Sequence, residues 1–405
     1  MDGLKAKSEV LAQLFSLWQP SRKFEKVSIK HALGRITSEP VHARFTLPVK
    51  RASGMDGVAV ISERFAQGIP DTSHWSLDID YARADTGDDF DDRFDAVIPI
   101  EKVTFTENGK PLFNVETPVV PGIGVRSAGC WVQEGELLID AHKPLRATDL
   151  AALALGGIAE VSVITKPVIG YIPTGSELVP VGVTPARGQN VDSNSILLDC
   201  LLREIGAEPL ILPIVHDNRQ QLEENLQQAL KRTDVLIIGG GTSKGCEDLC
   251  ADLLKKQGNV ICHGVAVAPG RPLCLALIDG KPVINLPGPP VAAFYGFDWC
   301  IRAIICQWLS IPLPQRKKVM ATLTEDFPCP DQISFMRRAN LRRNEQGEIE
   351  ASPLGMGKSI PQMLCTDALY ITVPGEGDHK KGSQIEVELL REEFQSDFDP
   401  IPLSL

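Results

Sequence analysis

Between residues 168 and 308 the chain repeats one pattern: a continuous apolar run, a loop carrying Gly or Pro, then an amphipathic stretch. Val168-Ile-Gly-Tyr-Ile ends in Pro173-Thr-Gly-Ser-Glu, and the spacing predicts a helix over 193–205. Pro209-Leu-Ile-Leu-Pro-Ile-Val ends in His216-Asp217-Asn218 ahead of a helix over 220–231. Asp234-Val-Leu-Ile-Ile runs into Gly239-Gly-Gly-Thr-Ser-Lys-Gly245 and a helix over 247–256, and Pro282-Val-Ile-Asn-Leu meets Pro287-Gly-Pro-Pro before a helix through Trp308. Strands that are apolar on both faces must be covered on both faces, so the repeat predicts a doubly wound parallel sheet between helices. Ligands of such sheets bind outside the carboxyl ends of the strands, which directs attention to these loops.

At 405 residues the chain exceeds what one core organises, and other parts read differently. Leu4, Val10, Leu11, Leu14, Phe15 and Trp18 predict an opening amphipathic helix. Short Gly- and Pro-punctuated apolar runs make 44–135 mostly β, and Glu136-Leu-Leu-Ile-Asp follows. A helix over 147–157 is expected with Thr148 as its N-cap and Gly156-Gly157 as its stop. Beyond the Ile311-Pro-Leu-Pro linker, Thr, Val and Ile runs predict a small β domain.

A net charge of −11 disfavours electrostatic binding to nucleic acid or anionic membrane, so an anionic ligand would need a local pocket of N–H groups and bases. The charged start, Met-Asp-Gly-Leu-Lys, and the lack of any apolar run near about 18 residues predict a cytoplasmic protein without a membrane span. Ten scattered cysteines read as reduced, mostly buried thiols. Cys246, Cys250, Cys262 and His263 sketch a metal site as the alternative.

Gly239–Gly245 follows a strand and opens a helix, so it is either a tight turn or an anion cradle. Walker A spacing fails, since Cys246 follows Gly245, and no Gly-x-Gly-x-x-Gly follows the first strand. Glu177, Asp217 and Asp248 fall at the same predicted sheet edge. Each alone reads as a cap or solvated loop residue; together beside an anion cradle they suit Mg²⁺, which prefers oxygen ligands and bridges to phosphates. Six aspartates lie between Asp85 and Asp95, but Phe90 and Ala96 occupy the places where an EF-hand needs Gly and Glu, leaving a solvated acidic loop. Ser53-Gly-Met-Asp56-Gly57 is a polar turn that either punctuates the chain or presents a functional aspartate.

These motifs also stand in a recognisable order. Gly34-Arg35, Ser53-Gly-Met-Asp56-Gly57-Val-Ala-Val60, Arg83 with Thr86-Gly87, Asp95-Ala-Val97, Pro173-Thr-Gly175 with Glu177-Leu178, Asp192-Ser-Asn194, Gly240-Gly241 with Ser243 and Gly245, Pro269-Gly270 with Pro272, and Leu286-Pro-Gly288 with Pro290-Val291 resemble the molybdopterin molybdenumtransferase family, which includes the E domain of gephyrin. The resemblance spans nearly the whole chain. It implies a homodimer of four-domain subunits: an interrupted N-terminal domain (1–43 and 136–163), an inserted β domain (44–135), a molybdopterin-binding α/β domain (164–311) and a C-terminal β domain (312–405). It further implies Mg²⁺-dependent insertion of molybdate into adenylylated molybdopterin with release of AMP. By motif, Asp56, Glu177, Asp217 and Asp248 would be catalytic, the last three on the metal. Thr86, Arg126, Thr174, Gly175, Gly240, Gly241, Ser243, Gly245, Arg271, Pro287 and Pro290 would hold the pterin nucleotide. Asp56 and Thr86 would reach the site across the dimer interface, and other cofactor-biosynthesis proteins or apo-molybdoenzymes would be partners.

The departures are local. Gly129-Cys130-Trp131 stands where the family has Gly-Glu-Asp, Ala268 where it has lysine, Arg271 where its Pro-Gly-Lys-Pro motif has lysine, Ser176 where Asp is common, and Pro289 where Asn is common. Losing a cation beside a bound anion removes charge-assisted hydrogen bonds of roughly 1.5–3 kcal/mol. That keeps open a weakened paralogue that holds molybdopterin or the finished cofactor as carrier, chaperone or sensor, and a relative handling tungstate.

Overall fold

The computed structural model describes residues 4–240, 249–355 and 363–391, which group into two compact units. One comprises Phe24–Ile164; the other comprises the chain up to Lys23 together with Thr165 onward.

The second unit is organised by a six-stranded sheet of β1 (Val168–Pro173), β2 (Glu208–Ile211), β3 (Val235–Gly239), β4 (Asn259–His263), β5 (Cys274–Ile278) and β6 (Lys281–Leu286), in the order β2-β1-β3-β6-β5-β4. Strands β2, β1, β3 and β6 run parallel, as the apolar runs predict, while β5 and β4 add an antiparallel edge. Helices Asn194–Glu204, Arg219–Leu230 and Leu249–Gln257 lie near their predicted places. Leu222, Leu226 and Leu230 of one helix and Cys250, Leu253 and Leu254 of the next are buried with Ile172, Leu236, Ile238 and Val283. Each such side chain contributes roughly 1.5–3 kcal/mol, so this core fixes the strand ends firmly. The opening helix, Lys7–Leu17, buries Val10 and Leu14, and Lys5 donates to the Ile261 carbonyl at 2.8 Å.

The same unit ends in a closed five-stranded barrel: β7 (Lys318–Leu323), β8 (Ser334–Arg343), β9 (Ile349–Pro353), β10 (Ala368–Ile371) and β11 (Gln384–Leu389). Its ring runs β7-β11-β10-β8-β9 and back to β7, the last pairing being parallel. Closure leaves no edge among these strands. Val267-Ala268 adds to β8 in parallel at Ser334-Phe335.

Phe24–Ile164 is built from short antiparallel pieces. Phe24–Ser28 pairs with Glu160–Ile164, and Gly57–Val60 lies between Ala82–Ala84 and Ala96–Pro99. Alternation is strict along Gly57–Val60: Val58 and Val60 join Phe65, Trp75 and Phe113, while Ala59 faces Phe90, Phe94 and Val97. The helix over Ala147–Leu155 starts at Arg146, whose N–H donates to Asp149 at 2.9 Å; Thr148 therefore lies inside it and is not the cap. Gly156 closes it as expected. Among the described residues no helix is long and apolar enough to cross a membrane.

Candidate functional site

Strand order places a topological switch between β1 and β3, because the chain leaves β1 for β2 on one side and returns to β3 on the other. The loops there are built almost entirely from backbone. Thr174 donates both its N–H and its hydroxyl to the Gly239 carbonyl, each at 2.8 Å. Gly240 has φ +99°, and a Cβ on it would lie 2.5 Å from the Thr174 carbonyl oxygen, so no other residue fits. The Gly240 N–H donates to the Leu286 carbonyl at 3.0 Å, and Asn285 Nδ2 donates to the Gly240 carbonyl at 2.8 Å. Asn194 Nδ2 in turn donates to the Gly288 carbonyl at 2.9 Å, tying down the loop that holds Pro287 and the helix opened by Pro290. The sequence carries Asn194 only within the motif Asp192-Ser-Asn194 and Asn285 only as the single polar residue inside the apolar run Pro282–Leu286; neither signals the carbonyl it holds. Burial of Tyr171 beneath Gly239 pushes its phenol far above the ordinary tyrosine range, so it acts as packing.

The carboxylates belong to the same edge. Asp217 and Ser176 bond reciprocally: the Ser176 N–H donates to Asp217 Oδ2 and the Asp217 N–H to Ser176 Oγ, both at 3.0 Å. Asp217 is exposed and its Oδ1 accepts no hydrogen bond among the described residues, so one oxygen is open while the other is anchored. Glu177 folds over Gly175, where a Cβ would lie 2.5 Å from Oε2 and φ is +145°. Beside them a cavity of about 510 Å³ is lined by Leu178, Val181, Asp192, Ser195, Leu212 and His216. Because β5 runs antiparallel and pairs Cys274 with Asn285, its start returns to this edge, bringing exposed Arg271 with it. Thr174, Gly175, Glu177, Asp217, Gly240, Arg271, Pro287 and Pro290 thus share one end of the sheet. Gly241, Ser243, Gly245 and Asp248 lie outside the described residues, as does Cys246. Cys250 and Cys262 are buried, and no donor cluster joins them to His263 among the described residues. Burial raises the Cys262 thiol to about 11. Glu177 and Asp217 offer only oxygen donors on hydrated loops, a set that fits Mg²⁺ and not a thiophilic metal.

Residues 170–306 match the family model described as "Probable molybdopterin binding domain", and residues 4–157 match "MoeA N-terminal region (domain I and II)". The chain is 30% identical to the molybdopterin molybdenumtransferase of a Nostoc species, over 75% of this chain and 74% of that protein. It belongs to the molybdopterin molybdenumtransferase (MoeA) family. The corresponding protein of Bacillus subtilis is 29% identical, over 94% of this chain and 93% of its own length. A crystal structure of a molybdopterin biosynthesis MoeA protein from Pyrococcus horikoshii superposes with a TM-score of 0.79 at 25% identity, over 96% of this chain and 100% of that one.

The remaining residues implied by the MoeA resemblance lie in the Phe24–Ile164 unit. Asp56 is exposed at the start of Gly57–Val60, and its Oδ1 accepts from both the N–H and the hydroxyl of Thr86 at 2.7 Å. Those two donors, the hydroxyl first, hold the Asp56 carboxyl below the usual carboxylate range. Gly87 N–H donates to the Ser53 carbonyl at 2.9 Å, which locks the two loops together. Arg126 donates weakly to the Gly54 carbonyl at 3.3 Å, and its guanidinium lies 5.5 Å from the centroid of the Trp131 ring, which is 49% exposed. Within the subunit Trp131 therefore meets Arg126 as an aromatic plate.

Proposed function

We propose that this member of the family inserts molybdate into adenylylated molybdopterin with release of AMP, in the cytoplasm, as a homodimer of subunits divided at 1–43 plus 136–163, 44–135, 164–311 and 312–405. The chain's role is in molybdenum cofactor biosynthesis. The observation that carries the fuller reading is the β1/β3 switch point, where a backbone cradle around Thr174 and Gly240 stands beside an anchored carboxylate at Asp217. Thr174, Gly175 and Gly240 would bound the space for the pterin nucleotide, Arg271, Pro287 and Pro290 would contribute from the neighbouring strand ends, and Gly241, Ser243 and Gly245 are assigned to the same ligand by the family motif alone. Glu177 and Asp217, with Asp248, would hold Mg²⁺, which supplies charge neutralisation at the phosphate when bound. Asp56, whose carboxyl Thr86 holds below the usual range, and Thr86 would act on the oxyanion across the dimer interface, and Arg126 would bind the nucleotide.

Incubating the protein with adenylylated molybdopterin, molybdate and Mg²⁺ should release AMP in proportion to cofactor formed. Sedimentation at micromolar concentration should show a dimer. One observation favours a second reading: with Trp131 plated against Arg126, a weakened paralogue would bind the pterin nucleotide as a carrier. Retained pterin with no AMP release would select that reading, and replacing molybdate by tungstate in the same assay reports oxyanion preference.

A further inference from the structure

Where the barrel's β7 runs out, Phe327-Pro-Cys329-Pro crosses the turn Glu376-Gly-Asp-His379. The two segments are locked in register: Phe327 N–H donates to the His379 carbonyl at 2.7 Å, His379 N–H returns the bond at 3.0 Å, and the Cys329 N–H donates to Asp378 Oδ1 at 2.8 Å. This lock gathers a thiol, a carboxylate and an imidazole whose donor atoms all lie within 4.8 Å of one another. Cys329 is only 8% exposed, and Glu376 Oε1 is buried with no hydrogen-bond partner among the described residues, 3.7 Å from His379 Nε2. The Tyr370 hydroxyl completes the cluster, 3.2 Å from Glu376 Oε2 and 3.0 Å from His379 Nε2.

We propose that Cys329, Glu376 and His379 form a site for a borderline-soft divalent transition metal of the Zn²⁺ type, with a fourth position open to the Tyr370 oxygen or a water. Sulfur, imidazole and carboxylate together select zinc over magnesium, whose ligands are oxygens. With Zn–S near 2.3 Å and Zn–N or Zn–O near 2.0–2.1 Å, tetrahedral ligands stand roughly 3.3–3.6 Å apart, so the donors need close by only about an ångström, within reach of side-chain torsions. The prolines either side of Cys329 restrict its backbone and preorganise the sulfur. A dication also answers the local electrostatics. Metal uptake would expel the Cys329 thiol proton, and the thiolate plus the Glu376 carboxylate would then balance the ion's two charges. Arg337 does not supply that balance through a hydrogen bond to either group: its guanidinium stacks on Phe327 and Phe335 and donates to the Pro328 carbonyl. The site lies in the barrel, apart from the strand-end loops, and does not rest on the proposed transferase chemistry.

Co²⁺, a spectroscopic stand-in for Zn²⁺, tests this on the full-length protein in excess Mg²⁺, which saturates oxygen-only sites. One equivalent should bind with a sulfur-to-cobalt charge-transfer band that Zn²⁺ abolishes. Cys329→Ser should lose the band, and His379→Gln should weaken binding at least tenfold while retaining the thiol. Should Cys329→Ser fail to fold, His379→Gln still decides, because its residue is partly exposed. Absence of the band in the native protein, its persistence in Cys329→Ser, or unchanged affinity in His379→Gln would each leave a hydrogen-bonded network only and overturn the site.

Discussion

The two parts of the molecule that carry family motifs are built on opposite principles. At the edge of the α/β sheet, the cradle is set by backbone: Thr174, Gly239, Gly240 and Asn285 exchange hydrogen bonds within a largely buried layer. In Phe24–Ile164 the motif residues are side chains on loops, with Asp56 and Trp131 exposed and Arg126 half-buried. A backbone cradle cannot be altered without disturbing the fold, whereas an exposed side chain can be changed with its scaffold intact. Substitutions should therefore separate: those in the backbone cradle cost stability and activity together, and those of exposed side chains cost chiefly function.

Gly240→Val should have the largest effect and tests the first half of that contrast. Its backbone would be held at φ +99°, and its Cβ would be driven onto the Thr174 carbonyl. Backbone strain alone costs about 1–3 kcal/mol, and the clash adds to it. Urea unfolding should show a clearly lowered midpoint, and AMP release should vanish; native stability would mean the cradle is softer than its hydrogen bonds indicate. Asp217→Asn comes next. The amide keeps the size and can still accept from Ser176 N–H, so stability should hold while Mg²⁺-dependent AMP release falls at least tenfold, about 1.4 kcal/mol in barrier. Undiminished turnover would remove Asp217 from the site.

How much of this could be read from sequence follows the same divide. The parallel sheet and its loops were legible because β1, β3 and β6 are continuous apolar runs that can exist only when covered on both faces, and because Gly239-Gly240 and Pro287 punctuate their ends. The antiparallel edge of β4 and β5 was not, since Asn259–His263 and Cys274–Ile278 carry no direction in their composition and only the short turn at Asp279-Gly280 hints at a hairpin between β5 and β6. Barrel closure was likewise hidden, because pairing between β7 and β9 or β8 and β10 is long-range and leaves no local signature. Asp56 was visible as a polar turn, but its partner Thr86, thirty residues away, emerged from the resemblance and not from spacing. The cluster of Cys329, Glu376 and His379 went unremarked for the same reason: its members meet through strand register.

Thr86→Val sharpens the comparison from the other side, with a smaller effect. It removes the hydroxyl that does most to hold the Asp56 carboxyl low but leaves the backbone N–H in place. The Asp56 carboxyl should then titrate nearer the ordinary aspartate range, followed by NMR. The sign follows from linkage: a depressed folded-state pKa contributes stability above the unfolded value and loses it as pH falls through the folded one. Any stability difference between the variant and the native protein should therefore be present at neutral pH and close below about pH 4. A difference that widened in acid would mean Thr86 acts through packing.

The smallest expected effect belongs to Trp131→Ala, and it discriminates most finely between the two readings of the protein. The guanidinium of Arg126 has one weak hydrogen bond, to the Gly54 carbonyl, and otherwise rests against the indole. A carboxylate in that place would neutralise the guanidinium; an aromatic ring positions it and leaves its charge available to an anion. At an exposed plate the contact is worth about 0.5–1 kcal/mol, a factor of roughly two to five in an equilibrium constant. If the plate orients Arg126 toward the nucleotide, Trp131→Ala should weaken pterin-nucleotide affinity by that factor with thermal stability unchanged, since the half-exposed ring supports no core. If instead the indole withholds Arg126 from the ligand, as the carrier reading requires, its removal should tighten binding and raise AMP release. The direction of the change in affinity, read against an unchanged melting temperature, decides whether this departure preserves the family's anion site or blunts it.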